Sequence, residues 1–190
     1  MNRDRSLILI LLALTFGYSI LRYIVFKRVD LQQIPLYIGN KAISWTGLIL
    51  LGLAPLVSIE RRRSLGQTGF LMILLHVILS LTIFNPTYFG KFYREDGHMT
   101  ALAEASMLAG GLGTVLLFKL FVHVGENHDH NGSLIPGLGR AVLVLTGLHV
   151  LLMGIKGWFH LETWPGMLPP ITLLSFVNVV VFLVIRQLRR

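Results

Sequence analysis

Long apolar runs, each close to the length that crosses a lipid bilayer, dominate this sequence and leave little chain between them. A helix needs roughly 20 apolar residues to span the hydrocarbon core. Of the 190 residues, 54% are hydrophobic and only 14% are charged. We therefore predict an all-α polytopic membrane bundle of about six helices, forming a single transmembrane domain over residues 1–190. The predicted spans are residues 6–26, 38–59, 68–84, 100–122, 140–160 and 170–186.

The basic residues indicate how the bundle is oriented. The net charge is +8, which in a soluble protein would suggest nucleic acid as a partner. Here the charges flank apolar spans, so we expect the lipid bilayer and no nucleic acid as the partner. Ten of the 17 basic residues fall on the side of the two termini, which predicts that both termini are cytoplasmic. The other seven are Arg22, Lys27, Arg28, Lys41, Lys91, Arg94 and Lys156.

Two further features narrow the possible classes of protein. The chain has no cysteine, which excludes disulfides, thiolate metal sites and cysteine-held iron–sulfur clusters. The basic N-terminus with its apolar run is similar to a signal peptide. It lacks a convincing small-residue cleavage site, so we expect it to be retained as the first helix.

Three histidines lie in or beside the apolar spans, where an ionisable side chain is costly and therefore a functional candidate. His76 lies within the third predicted span, and His149 and His160 lie in the fifth. The last two are 11 residues apart, about three helical turns, so a continuous helix would place them on one face roughly 16 Å apart. Imidazoles on two apolar helices suit the axial ligands of heme iron. Zinc fits less well, because no further ligands lie at matching depth.

Other polar residues have weaker signals. Arg62 precedes His76 by 14 residues, about four turns, and either points into the bundle towards a heme propionate or snorkels to the interface. Lys156 lies between the two histidines of the fifth span in sequence and is a candidate propionate partner. The loop with His128 and His130 invites a metal interpretation, but we expect it to be solvated.

Two neighbouring segments resemble a known family. Residues 37–56 hold a Thr-Gly pair and end near Pro55, and residues 61–76 begin Arg-Arg-Arg-Ser-Leu-Gly and end Leu-His. A Leu-Gly-Arg triplet at 138–140 precedes the fifth span. These features are similar to the ferric reductase-like transmembrane family, and most similar to its MsrQ (YedZ) branch. The similarity covers residues 35–165 in outline, and only residues 55–76 carry specific motifs.

The resemblance implies a six-helix, multi-pass heme b protein of the bacterial inner membrane with one or two hemes, and quinone or FMN as possible further cofactors. It implies an electron-transfer subunit rather than a separate catalyst, with quinol or a flavin reductase as donor. The acceptor would be a periplasmic molybdopterin methionine sulfoxide reductase. By position, His76 matches the third-helix ligand, His160 matches the outer fifth-helix ligand, and Arg62 matches an arginine near the inner heme.

Several alternatives stay open at this stage. The family's first fifth-helix histidine would fall near Thr146, and His149 is the nearest histidine, so His76 pairs with either His149 or His160. Spacing from the basic anchors favours His149 slightly. A heme-free transporter subunit or assembly scaffold is the alternative from a different class, and a ferric or cupric metalloreductase is a third.

Overall fold

The computed structural model describes residues 3–126 and 134–189, and six long helices account for most of them. All six are long and apolar enough to cross a membrane, which confirms the predicted all-α polytopic bundle. The helices are α1 Arg3–Ile20, α2 Gly39–Leu53, α3 Ile59–Thr82, α4 Ala101–Glu126, α5 Leu134–Trp158 and α6 Ile171–Leu188.

Short irregular turns lengthen the first two helices into full spans. A π-helical segment, Leu21–Phe26, continues α1, and a second one, Ile34–Ile38, leads into α2. The second π-helical segment contains a proline, whose missing N–H interrupts the regular hydrogen-bond pattern. The complete first and second spans are Arg3–Phe26 and Leu31–Leu56.

The ends of two predicted spans are wrong. Helix α3 begins at Ile59 rather than at residue 68, because arginine favours helix and can extend to the membrane interface from a helical position. Helix α5 begins at Leu134 rather than at residue 140, and it ends at Trp158, before His160. The loop with His128 and His130 lies outside the described residues.

Both termini lie at one end of the bundle. The Arg61 Nε atom lies 2.6 Å from the Asp4 carboxylate, which ties the start of α3 to the start of α1. An Arg189 guanidinium N–H donates to the Leu56 carbonyl at 3.2 Å, which brings the C-terminus to the same level. We call this the terminal end and the other the opposite end. Which end faces the cytoplasm stays a prediction.

The helices pack as two halves, α1–α3 and α4–α6. Within the first half, α2 and α3 approach closely at Gly47 and Gly69, where a Cβ on Gly47 would lie 3.2 Å from the Gly69 carbonyl oxygen. Between the halves, α3 meets α4 through stacked rings of Phe70 and Phe121, 4.1 Å between centroids. Also between the halves, α2 packs on α5 and α6 through a buried cluster of Leu48, Leu143, Val179 and Phe182.

Candidate cofactor site

A cavity of about 910 Å³ lies between the two halves. This volume is in the upper part of the 300–1,000 Å³ range typical of ligand pockets, so it suits a ligand of cofactor size. Residues from α2 to α6 line it, and most of the surface is apolar. The aliphatic residues around its middle include Leu48, Leu51, Ile73, Val77, Leu117, Val142 and Val150.

His76 reaches this cavity from α3, and its ring is held by the first turn of α2. The Nδ1 atom lies 2.6 Å from the Asn40 side-chain oxygen and 3.3 Å from the Ser80 hydroxyl. The Asn40 amide nitrogen also donates to Ser80 at 2.9 Å. Because an amide oxygen only accepts hydrogen bonds, Nδ1 carries the proton and Nε2 keeps the lone pair that can bind a metal.

His149 reaches the same cavity from α5 and has the same arrangement. Its Nδ1 atom lies 2.8 Å from the Ser106 carbonyl oxygen on α4. A carbonyl oxygen only accepts hydrogen bonds, so this ring also carries its proton on Nδ1, and Nε2 keeps the lone pair that can bind a metal. The ring lies directly against Gly110, where a Cβ would come within 2.8 Å of Nδ1.

The two rings lie at similar depths. His76 is six residues before the end of α3 and His149 is nine before the end of α5. At 1.5 Å rise per residue, these positions are about 9 Å and about 14 Å from the opposite end. One histidine from each half therefore lines one cavity, at depths that differ by about 5 Å along the helices.

Lys156 is also placed at the cavity, at its opposite end, where its side chain is exposed. His160 is not. It lies beyond the end of α5, its side chain is 63% exposed, and Nδ1 is 3.1 Å from a Glu162 carboxylate oxygen. At this end the Trp164 indole N–H donates to the Gly157 carbonyl at 3.0 Å and so caps the last turn of the helix. The expectation that His160 shares a helix face with His149 is therefore wrong.

Arg62 is likewise outside the cavity lining, and it is exposed on α3. The adjacent residue Arg61 is turned towards Asp4, and Leu65 is fully buried against α2. This packed face leaves Arg62 pointing elsewhere. The cation at the terminal end of the cavity is Arg186 from α6 instead.

Several residues of the site were not among the sequence candidates. Except for one lysine in the connection between the third and fourth spans, each is a polar or cationic side chain within a span, which is the signal that identified the histidines. Their spacing did not indicate their partners, because the hydrogen bonds that several of them make are to another helix or to a loop. They are Arg22, Asn40, Lys41, Lys91, Ser106 and Arg186.

The two histidines suit a metal held in a macrocycle better than a bare metal ion. Among the described residues, no group of three or more His, Asp or Glu side chains is placed to hold a metal ion. Two imidazoles alone are a poor site for a bare ion such as zinc, which takes four ligands. They are sufficient for a metal that brings its own equatorial donors, as iron in a porphyrin does.

The fold and the site together define a class: a six-span α-helical membrane protein with an internal cavity between two histidine-bearing helices. No protein-family model matches the chain, and no curated protein matches it significantly.

Proposed function

We propose that this chain binds heme b between His76 and His149 and acts as a membrane electron-transfer protein. The observation that carries the proposal is the placement of the two rings. They come from different halves of the bundle, they line one largely apolar cavity, and each has Nδ1 engaged by a neighbour.

The chain's own residues would orient the ligands. A metal-binding histidine almost always donates its other ring N–H to a carboxylate, a carbonyl or water, which fixes the tautomer and the ring plane. Ser106 supplies such a carbonyl oxygen to His149, and Asn40 supplies a side-chain amide oxygen to His76. Since one cavity holds one pair of histidines, the arrangement supports a single heme, with His149 rather than His160 as the partner of His76.

Bound heme would supply a reversible one-electron carrier, whose potential depends on its ligands and surroundings. The histidines lie closer to the opposite end, which fits electron delivery to an acceptor there. We propose quinol or a flavin reductase as donor and a periplasmic molybdopterin methionine sulfoxide reductase as acceptor, in the inner membrane of a bacterium. These partners and this location rest on the resemblance in residues 37–76.

The test is a reduced-minus-oxidised difference spectrum of the protein, expressed with heme available and purified in detergent. We expect b-type bands in the parent protein, strongly reduced bands in His76→Ala and His149→Ala, and retained bands in His160→Ala. The last variant is the matched control, because that ring lies outside the cavity. A folded parent without b-type bands would favour the heme-free transporter or scaffold, and loss of heme in His160→Ala alone would contradict the proposed pair.

A further inference from the structure

The opposite end of the cavity concentrates positive charge without a matching negative charge. Arg22 is buried, Lys41 is half-buried, and three further lysines are exposed around the mouth. The described lining residues include no Asp or Glu. The three exposed lysines are Lys27, Lys91 and Lys156.

Three of these cations surround one aromatic ring. The Lys41 Nζ atom lies 5.1 Å from the centroid of Tyr23, the Lys27 Nζ atom lies 5.9 Å from it, and the Arg22 guanidinium carbon lies 5.4 Å from it. Lys41 also lies 4.3 Å from the centroid of Tyr37. Ring faces attract cations, but each such contact is weak. They do not neutralise three charges held this close together.

Arg22 is the most deeply buried cation of the group. Only 6% of the residue is exposed, and one terminal N–H donates to the Leu168 carbonyl. Its Nε atom is buried and has no hydrogen-bond partner among the described residues. Burying a charged group without its full set of partners is costly. Arg22 lines the cavity with an incompletely satisfied guanidinium, whose charge an oxyanion bound beside it would compensate.

No carboxylate of the described chain compensates these cations, because the ion pairs there join Arg61 to Asp4 and His160 to Glu162. The effect is visible at Lys91, which donates to the Met153 carbonyl at 2.8 Å. Although part of the Lys91 side chain is exposed, its ammonium group lies against the Met153 carbonyl and is partly removed from water. This desolvation, with the nearby charges of Lys41 and Lys27, lowers the pKa of Lys91 to about 8.

We propose that the opposite end of the cavity is a binding site for carboxylate or phosphate groups, contacted by Arg22, Lys41 and Lys91. The planar fork of arginine matches these oxyanions, and charge-assisted hydrogen bonds to them are among the strongest in proteins. The exposed Lys27 and Lys156 attract the anion to the mouth. The oxyanion comes from one of two sources: a small anion from solution, or the propionates of the porphyrin. Only the second source rests on the proposed function.

The first arm of the test uses heme-free protein in detergent, titrated with citrate or inorganic phosphate against chloride at matched ionic strength. Binding is followed by the fluorescence of Trp164, which lines the cavity, and by the melting temperature. For a solution anion we expect saturable binding that is about tenfold weaker in Lys41→Met and in Lys91→Met. Lys119→Met, an exposed residue outside the cavity lining, makes the same change in net charge and should bind like the parent.

The second arm compares heme with its dimethyl ester, in which both propionates are esterified, by absorbance titration. If the propionates occupy the site, the diester binds the parent about tenfold more weakly than heme, and Lys41→Met removes that difference. A positive first arm alone identifies a solution anion, and a positive second arm alone identifies the propionates.

Two results would overturn the anion site. One is the absence of an effect in both arms. The other is equal weakening by Lys119→Met, which would indicate a response to net charge only. If neither heme nor its diester binds, the proposed function fails separately, and the first arm alone decides on the anion site.

Discussion

Gly110 is the position where one added atom should test the role of His149 most directly. A Cβ there would lie 2.8 Å from Nδ1 and 3.1 Å from Cε1 of the ring, and ordinary contact begins at 3.4 Å. In Gly110→Ala the ring must therefore retreat by about 0.6 Å at Nδ1. This movement disturbs the 2.8 Å hydrogen bond to the Ser106 carbonyl. A hydrogen bond of this kind contributes about 1 kcal/mol net, so heme affinity should fall about fivefold.

The assay is an absorbance titration of heme-free protein with heme, comparing the parent with Gly110→Ala. Gly17→Ala is the control, because a Cβ at this α1 glycine meets nothing within 4 Å and Gly17 does not line the cavity. Both variants gain the same helix propensity. Equal heme affinities for the two variants would refute the argument that His149 is a ligand positioned by close packing on α4.

Three further predictions concern packing, ligand orientation and charge. Gly52→Ala should lower the melting temperature, because the added Cβ would overlap the ring of Phe182 and overpacking typically costs about 1–3 kcal/mol. Gly66→Ala is the control and should leave the melting temperature unchanged, because the nearest atom to its added Cβ lies at 3.9 Å. Asn40→Leu should raise the heme midpoint potential by up to about 40 mV in a redox titration, because the third-helix imidazole loses its acceptor and becomes a weaker electron donor. Citrate affinity of heme-free protein should fall between pH 7 and pH 9, as Lys91, with its pKa lowered to about 8, goes from about nine-tenths to about one-tenth charged. In Lys91→Met the citrate affinity should not fall over this pH range. If the variant shows the same fall as the parent protein, Lys91 is not its cause.

The number and order of the spans could be predicted from the sequence because each depends on local apolar composition alone. The ends could not be predicted to the same accuracy. Hydropathy ends a span at the first charges, yet the three arginines after Ile59 continue α3, since their long side chains reach the interface from helical positions. The end of α5 is capped by a side chain beyond the helix, the Trp164 indole on the Gly157 carbonyl, which hydropathy does not indicate.

Site residues could be predicted from the sequence where the signal is an ionisable side chain within an apolar run. His76 and His149 are conspicuous as ionisable residues in apolar runs, and the structure places both at the cavity. Arg62 shows the limit of this reasoning. A spacing of 14 residues predicts that Arg62 and His76 share a face of α3. Which face of α3 remains free near Arg62 is decided instead by the packing of Leu65 on α2. Nothing in its own segment records that contact.

The division of the bundle into halves has a consequence for how the protein persists in the cell. Among the described residues, contacts between the two halves include the cluster of α2, α5 and α6, the stacked α3–α4 rings, and the hydrogen bonds from Arg22 to Leu168 and from Arg189 to Leu56. The cavity lies between the same two halves. A molecule seated there touches both halves and fastens them together, so its binding energy adds to the stability of the whole chain. The supply of that molecule would then influence the lifetime of the protein, since copies made without it would lack this added stability and be degraded first.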